Sequence, residues 1–267
     1  GLETVGVIGQ AGGEEELVMV HRPLSPVAEG FRKLRTNLEF LAVDEALRTL
    51  MVTSPGPAEG KSMVSTNLAA AAAQAGRRVV LIEADLRNPR ASEVIARSSK
   101  VGLTHALVEG SVNGKLQGTE VEGLLFLGAG EKPPNPAELL GSARMGEVLD
   151  RLLESVDLIV IDSAPMLPVA DSVALSRRVD GVLLVVDVGR TRASAAQQAA
   201  EGLRQAGAKV VGAVLNNVPT GGGGYYNYRY YYGDEYNAYY GEDGKGGKRG
   251  RAKGLVSRVR DVLRNRR

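Results

Sequence analysis

The sequence lacks cysteine entirely and contains only two histidines, His21 and His105, among 267 residues. Without thiols the chain cannot form disulfides, thiolate metal sites or a cysteine nucleophile. The two histidines lie far apart in the sequence, so we do not expect histidine-based catalysis or a metal site built from several histidines. The remaining candidates for chemistry are carboxylates, lysine, hydroxyls and backbone amides.

Long hydrophobic runs and aromatic residues are also scarce. No apolar stretch approaches the roughly 18 residues that a membrane-spanning helix needs, and no signal-peptide pattern opens the chain, which begins with Gly1. We therefore expect a cytoplasmic domain. Tyrosine is absent from the first 224 residues, and all nine tyrosines fall between Tyr225 and Tyr240. A core built without tyrosine thus precedes one short tyrosine-rich segment.

The charge is distributed unevenly along the chain. The net charge is +2, but residues 242–267 carry ten lysines or arginines against three acids. The preceding residues 1–241 hold 23 basic and 28 acidic residues. The globular part is therefore mildly acidic, and the basicity belongs to the C-terminal end.

Apolar, β-prone runs alternate with helical stretches through most of the chain. A helix is predicted over 25–43, and strands are predicted at 49–54, 78–85, 124–129, 157–164, 181–188 and 208–216. Near-continuous hydrophobic strands between helices indicate a parallel sheet covered on both faces. The predicted fold class is α/β, with helices flanking a parallel sheet on both faces.

We divide the chain into four segments and find no internal repeat. They are an irregular lead-in at 1–24, the α/β domain at 25–219, a flexible, disordered Gly/Tyr-rich tail at 220–244, and a basic amphipathic segment at 245–267. The basic segment has three interpretations: contact with an anionic membrane surface, contact with nucleic acid, or a solubilising tail. We do not expect nucleic acid as a main partner.

A glycine-containing turn joins the first predicted strand of the domain to an alanine-rich helix. Such a turn directs backbone N–H groups at a common anion, aided by the helix dipole. Lys61 is expected to reach the phosphates of ATP, and the Ser62 hydroxyl is expected to ligate Mg²⁺. This strand–loop–helix arrangement is typical of a P-loop NTPase-like parallel sheet; the alternative is a plain turn with a chance GKS. The strict pattern expects glycine five residues before Gly60, where Pro55 stands. The predicted nucleotide-binding residues are Gly56, Pro57, Ala58, Glu59, Gly60, Lys61, Ser62 and Met63.

Acidic residues end two other predicted strands. Asp162 closes a buried apolar strand, where a carboxylate is costly without a cation or hydrogen bonds. Glu83 and Asp85 end another strand, and strand alternation predicts that both side chains lie on one face. We predict Ser62, Asp85 and Asp162 as magnesium ligands. An exposed acid at the start of a loop is the alternative for each carboxylate.

Three further residues have two interpretations each. Arg87 and Arg90 follow the acids and are either phosphate ligands or ordinary surface charges. Asn216 ends the last predicted strand and is either an adenine contact or a turn-forming residue.

Together these segments resemble the bacterial tyrosine kinases, the cytoplasmic kinases of capsule and exopolysaccharide export systems. The resemblance spans about 25–240 and rests on EGFRKLR, EGKS, VVLIEADLR, IVIDSAP and the tyrosine cluster, in that family's order. EGFRKLR matches the E-x-x-R-x-x-R helix that the family uses between subunits of a ring. Glu29, Arg32 and Arg35 occupy its charged positions; without the resemblance they would be taken as a solvated helix face.

The resemblance implies an ATP-dependent protein-tyrosine autokinase that phosphorylates the tail of a neighbouring subunit and regulates exopolysaccharide synthesis. Lys61, Glu83, Asp85 and Asp162 are its implied catalytic residues. The implied location is the inner face of the cell membrane, and a membrane-bound activator (or a transmembrane region of its own) and a phosphotyrosine phosphatase are implied partners. The implied phosphorylation sites are Tyr225, Tyr226, Tyr228, Tyr230, Tyr231, Tyr232, Tyr236, Tyr239 and Tyr240.

One position departs from the family, and two other functions compete. Glu83 stands where the family has aspartate, so either Glu83 or Asp85 would accept the tyrosine proton. A partitioning-type ATPase would carry a signature lysine five residues before Lys61, where Gly56 stands. An ATP-controlled assembly scaffold would use the tyrosines as aromatic contacts without phosphorylating them.

Overall fold

The computed structural model describes residues 2–10, 16–41 and 46–219. Eight strands form one sheet in the order β1-β8-β7-β2-β6-β3-β5-β4. All neighbouring strands are parallel except β4 and β5, which are antiparallel. The strands are β1 Thr4–Gly9, β2 Thr49–Thr53, β3 Val79–Glu83, β4 Gln117–Gly118, β5 Leu124–Leu127, β6 Leu158–Asp162, β7 Gly181–Asp187 and β8 Val210–Val218.

Helices cover both faces of this sheet. They are α1 Val18–His21, α2 Pro26–Leu41, α3 Lys61–Gln74, α4 Ala91–Val94, α5 Leu103–Glu109, α6 Pro136–Gly141, α7 Ala143–Leu153, α8 Asp171–Ser176 and α9 Ala193–Gln205. Strand side chains alternate between the two covered faces. Val160 packs in the core beneath α1, α2 and α3, whereas its neighbour Ile161 packs in the core beneath α5, α7, α8 and α9. This two-sided burial explains why the strands lack polar alternation.

The α/β fold and all six predicted strands are confirmed, and two strands escaped prediction. The lead-in at 1–24 was predicted to be irregular, which is wrong for Thr4–Gly9, since this segment forms β1 beside β8. Its glycines weaken the strand pattern, and Gly6 is required because a Cβ there would lie 2.7 Å from Leu34 Cδ1 of α2. The other missed strand, β4, has only two residues.

Two helices, α6 and α7, follow each other closely between β5 and β6. The chain leaves α6 at Gly141, where a Cβ would lie 3.2 Å from Ala174 Cβ of α8, and Ser142 is extended before α7 begins. Within the described ranges no helix is long and apolar enough to cross a membrane. The segments 220–244 and 245–267, with all nine tyrosines, lie outside the described residues.

Candidate active site

A cleft of about 490 Å³ opens at the carboxyl ends of the central strands β2, β6 and β3. In open parallel sheets this edge is where ligands bind. Most of the predicted nucleotide-binding residues line this cleft, together with Asp85, one of the two acids at the end of β3. Its lining residues are Glu16, Pro57, Ala58, Gly60, Lys61, Ser62, Met63, Asp85, Arg87, Asn88, Arg90, Ala164, Pro165 and Val169.

The phosphate loop, which joins β2 to α3, is held in a conformation that requires Gly60. Gly60 has a φ of +90°, and a Cβ there would lie 2.1 Å from Asn216 Nδ2. The same Nδ2 donates to Glu59 O at 3.0 Å, and the Ser54 hydroxyl donates to Gly56 O at 2.6 Å. α3 begins directly after this turn, so its unpaired N-terminal N–H groups and dipole favour an anion in the cleft.

Lys61 lies in the cleft within an acidic environment. Its Nζ is 2.9 Å from Asp85 Oδ2, and both residues are buried. Burial alone would lower the pKa of Lys61, but the charges of Asp162 and Asp85 outweigh it and raise this pKa above its usual value. Lys61 is therefore a fixed cation at the start of α3.

Asp162 is fully buried at the end of β6, and neither of its carboxylate oxygens has a hydrogen-bond partner among the described residues. Burial raises its pKa to about 6, while the Lys61 charge and the nearby Ser62 hydroxyl act in the opposite direction. The Ser62 hydroxyl is close enough to lower the pKa without reaching hydrogen-bond geometry. An ionised carboxylate without donors is unfavourable in a protein interior unless a cation satisfies it.

These residues fit a magnesium ion. Mg²⁺ prefers oxygen ligands and commonly uses one or two carboxylates together with substrate phosphates and waters. The unpartnered oxygens of Asp162 and the hydroxyl of Ser62 supply such ligands next to the phosphate loop. No group of three or more His, Cys, Asp or Glu side chains that could hold a metal ion occurs in the described part of the chain.

Glu83 and Asp85 do not share one environment, which corrects the prediction of a common face. That prediction assumed that the strand continues through Asp85, but β3 ends at Glu83. Asp85 lines the cleft, and its Oδ1 accepts from Asn88 N at 3.0 Å. Glu83 instead accepts hydrogen bonds from the backbone of Ser92 and Ala129 and from the Ser99 hydroxyl.

The two arginines beyond the acids line the cleft and are paired within the chain. Arg87 forms a bidentate ion pair with the fully buried Asp171, with distances of 2.7 and 3.0 Å. The geometry is that of an internal tie between the β3 loop and α8. Arg90 pairs with Glu93 at 3.1 Å in an exposed contact.

A second loop, which was not predicted from the sequence, supports the phosphate loop. Arg190 donates to Ala58 O at 3.3 Å. Burial raises the pKa of Glu59, whereas the nearby Thr191 hydroxyl and the Gly56 backbone act in the opposite direction. The loop starts at the buried Asp187, an acid at the end of β7. The signal that identified Asp162, an acid closing an apolar strand, could also have identified Asp187.

Asn216 is buried at the edge of this loop system. Its Nδ2 donates to Glu59 O, whereas its Oδ1 has no partner among the described residues. The unpartnered oxygen leaves one acceptor available close to the phosphate loop.

The charged residues of α2 interact mostly within their own chain. Arg32 lies 3.3 Å from Glu29 and donates to Pro23 O at 2.7 Å. Arg35 lies 3.6 Å from Glu39 and donates to Ala71 O at 3.4 Å. Their side chains stay partly exposed, so the helix still presents charge to solvent.

Comparison with known proteins agrees with this geometry. The CobQ/CobB/MinD/ParA nucleotide binding domain family matches residues 50–224. The tyrosine-protein kinase YwqD of Bacillus subtilis (strain 168) is 37% identical over 204 residues, covering 76% of this chain and 86% of YwqD. The chain belongs to the bacterial tyrosine kinases. The kinase domain of the Escherichia coli tyrosine kinase ETK has a TM-score of 0.77 at 30% identity, covering 83% of this chain and 92% of that one.

The bacterial tyrosine kinases share their fold with a different class of protein. The septum site-determining protein MinD of Pyrococcus horikoshii OT3, solved with Mg-ADP, has a TM-score of 0.54 and 22% identity. That match covers 63% of this chain and 70% of MinD. At this identity the likeness concerns the fold alone.

Proposed function

We propose that the protein is an ATP- and Mg²⁺-dependent protein-tyrosine autokinase that phosphorylates the tyrosine cluster of a neighbouring subunit. One observation carries the proposal: the buried, unpartnered carboxylate of Asp162 lies beside Lys61 and Ser62 at the mouth of a phosphate-binding loop. The membership of the chain in the bacterial tyrosine kinases supports the choice of tyrosine as acceptor. The nine tyrosines between Tyr225 and Tyr240 are the only ones that the chain supplies.

Phosphoryl transfer asks the protein mainly for positioning and charge neutralisation. The loop amides and Lys61 would hold the phosphates of ATP, and Asn216 offers an acceptor for its base. Ser62, Asp85 and Asp162 would hold Mg²⁺, which when bound neutralises charge on the phosphates. As the bond between the γ-phosphorus and the bridging oxygen breaks, a bond forms to the tyrosine oxygen and ADP leaves. The phenol proton passes to one of the two acids at the end of β3, since free tyrosine has a pKa near 10 and needs an acceptor.

The neighbouring subunit in this proposal is a second copy of the chain in a ring. Glu29, Arg32 and Arg35 lie at spacings of three along α2, on one side of the helix. On contact with a second subunit, these side chains would give up their weak ion pairs within the chain and form contacts between chains. Such a contact would bring one tail to the next active site.

The cellular setting follows from the family resemblance. We propose a role in capsule or exopolysaccharide synthesis at the inner face of the membrane, with a membrane-bound activator or a transmembrane region of its own. A phosphotyrosine phosphatase would reverse the modification. Each phosphate adds about −1.5 to −2 charges, so several would oppose the basic segment at 245–267. Phosphorylation would then weaken the contact of the basic segment with an anionic membrane surface and the contacts between subunits of the ring.

Incubation of the full chain with Mg-ATP, followed by intact-mass and peptide mass spectrometry, tests the proposal. We expect phosphate confined to residues 225–240 in the wild type and its absence in Lys61→Met. ATP hydrolysis without phosphotyrosine would favour the partitioning-type ATPase, although Gly56 stands where that class has its signature lysine. Association that depends on ATP without any phosphate on the protein would favour the scaffold.

A further inference from the structure

Glu83 has every carboxylate oxygen engaged by a donor of its own chain. The residue is fully buried; its Oε1 accepts from Ser92 N at 2.8 Å. Its Oε2 accepts from the Ser99 hydroxyl at 2.5 Å and from Ala129 N at 3.2 Å. A carboxylate satisfied by three donors is stabilised where it is, and moving it towards a substrate would break these bonds.

The three donors belong to separate parts of the chain. Ser92 lies in the first turn of α4, Ser99 lies in the loop after that helix, and Ala129 follows β5. Ser99 also accepts from Gly130 N through its backbone carbonyl, and its hydroxyl oxygen accepts from Ala129 N at 2.9 Å. Glu83 therefore joins the end of β3 to both ends of the segment 92–99 and to the end of β5.

The segment that Glu83 holds in place carries residues of the cleft. Asp85, Arg87 and Arg90 all lie between Glu83 and its first donor at Ser92. Glu83 itself is not among the cleft-lining residues of the described chain. The hydrogen bond from Ser92 N to Glu83 thus closes a loop whose residues Asp85, Arg87 and Arg90 line the cleft. Within this loop, Asp85 Oδ2 lies 2.9 Å from Lys61 Nζ.

We propose that Glu83 is a positioning residue that fixes this loop and with it the place of Asp85 beside Lys61. The proposal rests on the proposed kinase function. It assigns the extra methylene of Glu83 a structural purpose. An aspartate there would withdraw the carboxylate by about one carbon–carbon bond, roughly 1.5 Å. Hydrogen bonds now at 2.5 to 3.2 Å would be lengthened beyond the useful range of about 3.2 Å.

The substitution Glu83→Asp separates the two roles, because it installs the residue that the family resemblance expects at this position. If Glu83 were the proton acceptor, the shorter acid would keep or improve the activity. If Glu83 is a positioning residue, Glu83→Asp should lower the kcat of tail phosphorylation at least fivefold, with the KM for ATP changed less than threefold. A smaller loss, a gain, or a KM that rises in step with the fall in kcat would overturn the proposal.

Ser99→Ala supplies an independent variant, also for the case that Glu83→Asp does not fold. Removing one donor should lower kcat about threefold with KM unchanged, and an unchanged kcat would overturn the proposal. The double variant should be no slower than Glu83→Asp alone, because the shortened acid has already lost the serine. Fully additive losses would contradict the shared contact. Glu201→Gln, on the exposed surface of α9, is the matched control and should behave as wild type.

Amide hydrogen exchange distinguishes failure of this inference from failure of the kinase proposal. In Glu83→Asp the amides of Ser92 and Ala129 should exchange at least tenfold faster than in the wild type, whether or not the protein phosphorylates tyrosine. Unchanged exchange at both amides would overturn the positioning role. Absence of phosphotyrosine in the wild type would instead sink the kinase proposal, and the exchange result would still decide whether Glu83 holds the loop.

Discussion

Two aspartates at opposite ends of β6 differ in almost every physical respect. Asp157 directly precedes the strand, where Arg78 donates to it from its backbone at 2.9 Å and from its guanidinium at 2.7 Å. The hydrogen bonds from Arg78 lower the pKa of Asp157 to about 2. Asp162 ends the same strand without any hydrogen-bond donor in the described chain, and burial raises its pKa to about 6.

The difference between the two acids separates a structural edge of the sheet from a functional one. At the amino edge the fold supplies donors, and the carboxylate is stabilised in its ionised form. At the carboxyl edge the fold withholds donors from a buried acid, which is unfavourable for folding. Perturbed carboxylates of this kind concentrate at functional sites. The unsatisfied acid thus identifies the edge at which a ligand completes the structure.

The largest expected effect comes from exchanging the functional acid for its neutral isostere. Asp162→Asn should lower tail phosphorylation at least 100-fold, the scale seen when one electrostatic contributor to a transition state is removed, about 10²–10³. Asp157→Asn is the matched control and should stay within twofold of the wild type. Initial rates from mass spectrometry check both variants. Equal losses in the two would remove the distinction between the edges.

A smaller effect is expected from two glycines at opposite ends of α3. Gly60 and Gly76 both have φ near +90°, so alanine costs each about 1–2 kcal/mol of backbone strain. Only at Gly60 does the new Cβ meet a neighbour, Asn216 Nδ2, and nothing lies within 4 Å at Gly76. ATP affinity measured by calorimetry should fall at least tenfold in Gly60→Ala and less than threefold in Gly76→Ala. Equal affinities would contradict the role assigned to the loop.

The contributions of Asp162 and Asp157 to the free energy of unfolding should change with pH in opposite directions. The pKa of Asp162 is raised from 3.8 to about 6, so the native state binds this proton more tightly than the unfolded state does. The wild type therefore loses stability as the pH rises from about 4 to about 6, whereas Asp162→Asn does not. The difference in free energy of unfolding should reach about 3 kcal/mol by pH 7 in favour of the variant. Urea denaturation without Mg²⁺ measures it, and a difference independent of pH would refute the assignment.

The smallest effect belongs to Asp157, an exposed acid with a lowered pKa. Its contribution to stability is present above pH 3.8 and is lost as the pH falls towards 2. Asp157→Asn should therefore lower the melting temperature slightly near pH 7 and leave it unchanged near pH 2. Thermal scans at the two pH values check this, and a larger loss at the acidic value would be inconsistent with the Arg78 contact.

The parts of this structure that the sequence predicted are those encoded locally. The β2 strand, the GKS turn and the acid closing β6 all lie within short segments with their own periodicity or spacing, and their placement was predicted correctly. The covering of both faces followed from strands without polar alternation.

The parts that escaped prediction depend on contacts between distant segments. β1 forms because β8 pairs with it and α2 packs closely over Gly6. These two elements lie about 30 to 200 residues away in the sequence. Glu83 and Asp85 look equivalent in the sequence, and the donors at Ser92, Ser99 and Ala129 separate their roles. Hydrogen-bond partners from other strands and loops cannot be read from local composition.

The cleft of one chain is expected to phosphorylate the tail of another copy. A mixture of isotopically heavy wild type and light Lys61→Met under Mg-ATP tests this transfer, because mass separates the two chains. We expect phosphate on residues 225–240 of the light chain, in amounts that rise with wild-type concentration. Phosphate on neither chain would contradict the kinase, and phosphate on the heavy chain alone would contradict transfer between subunits.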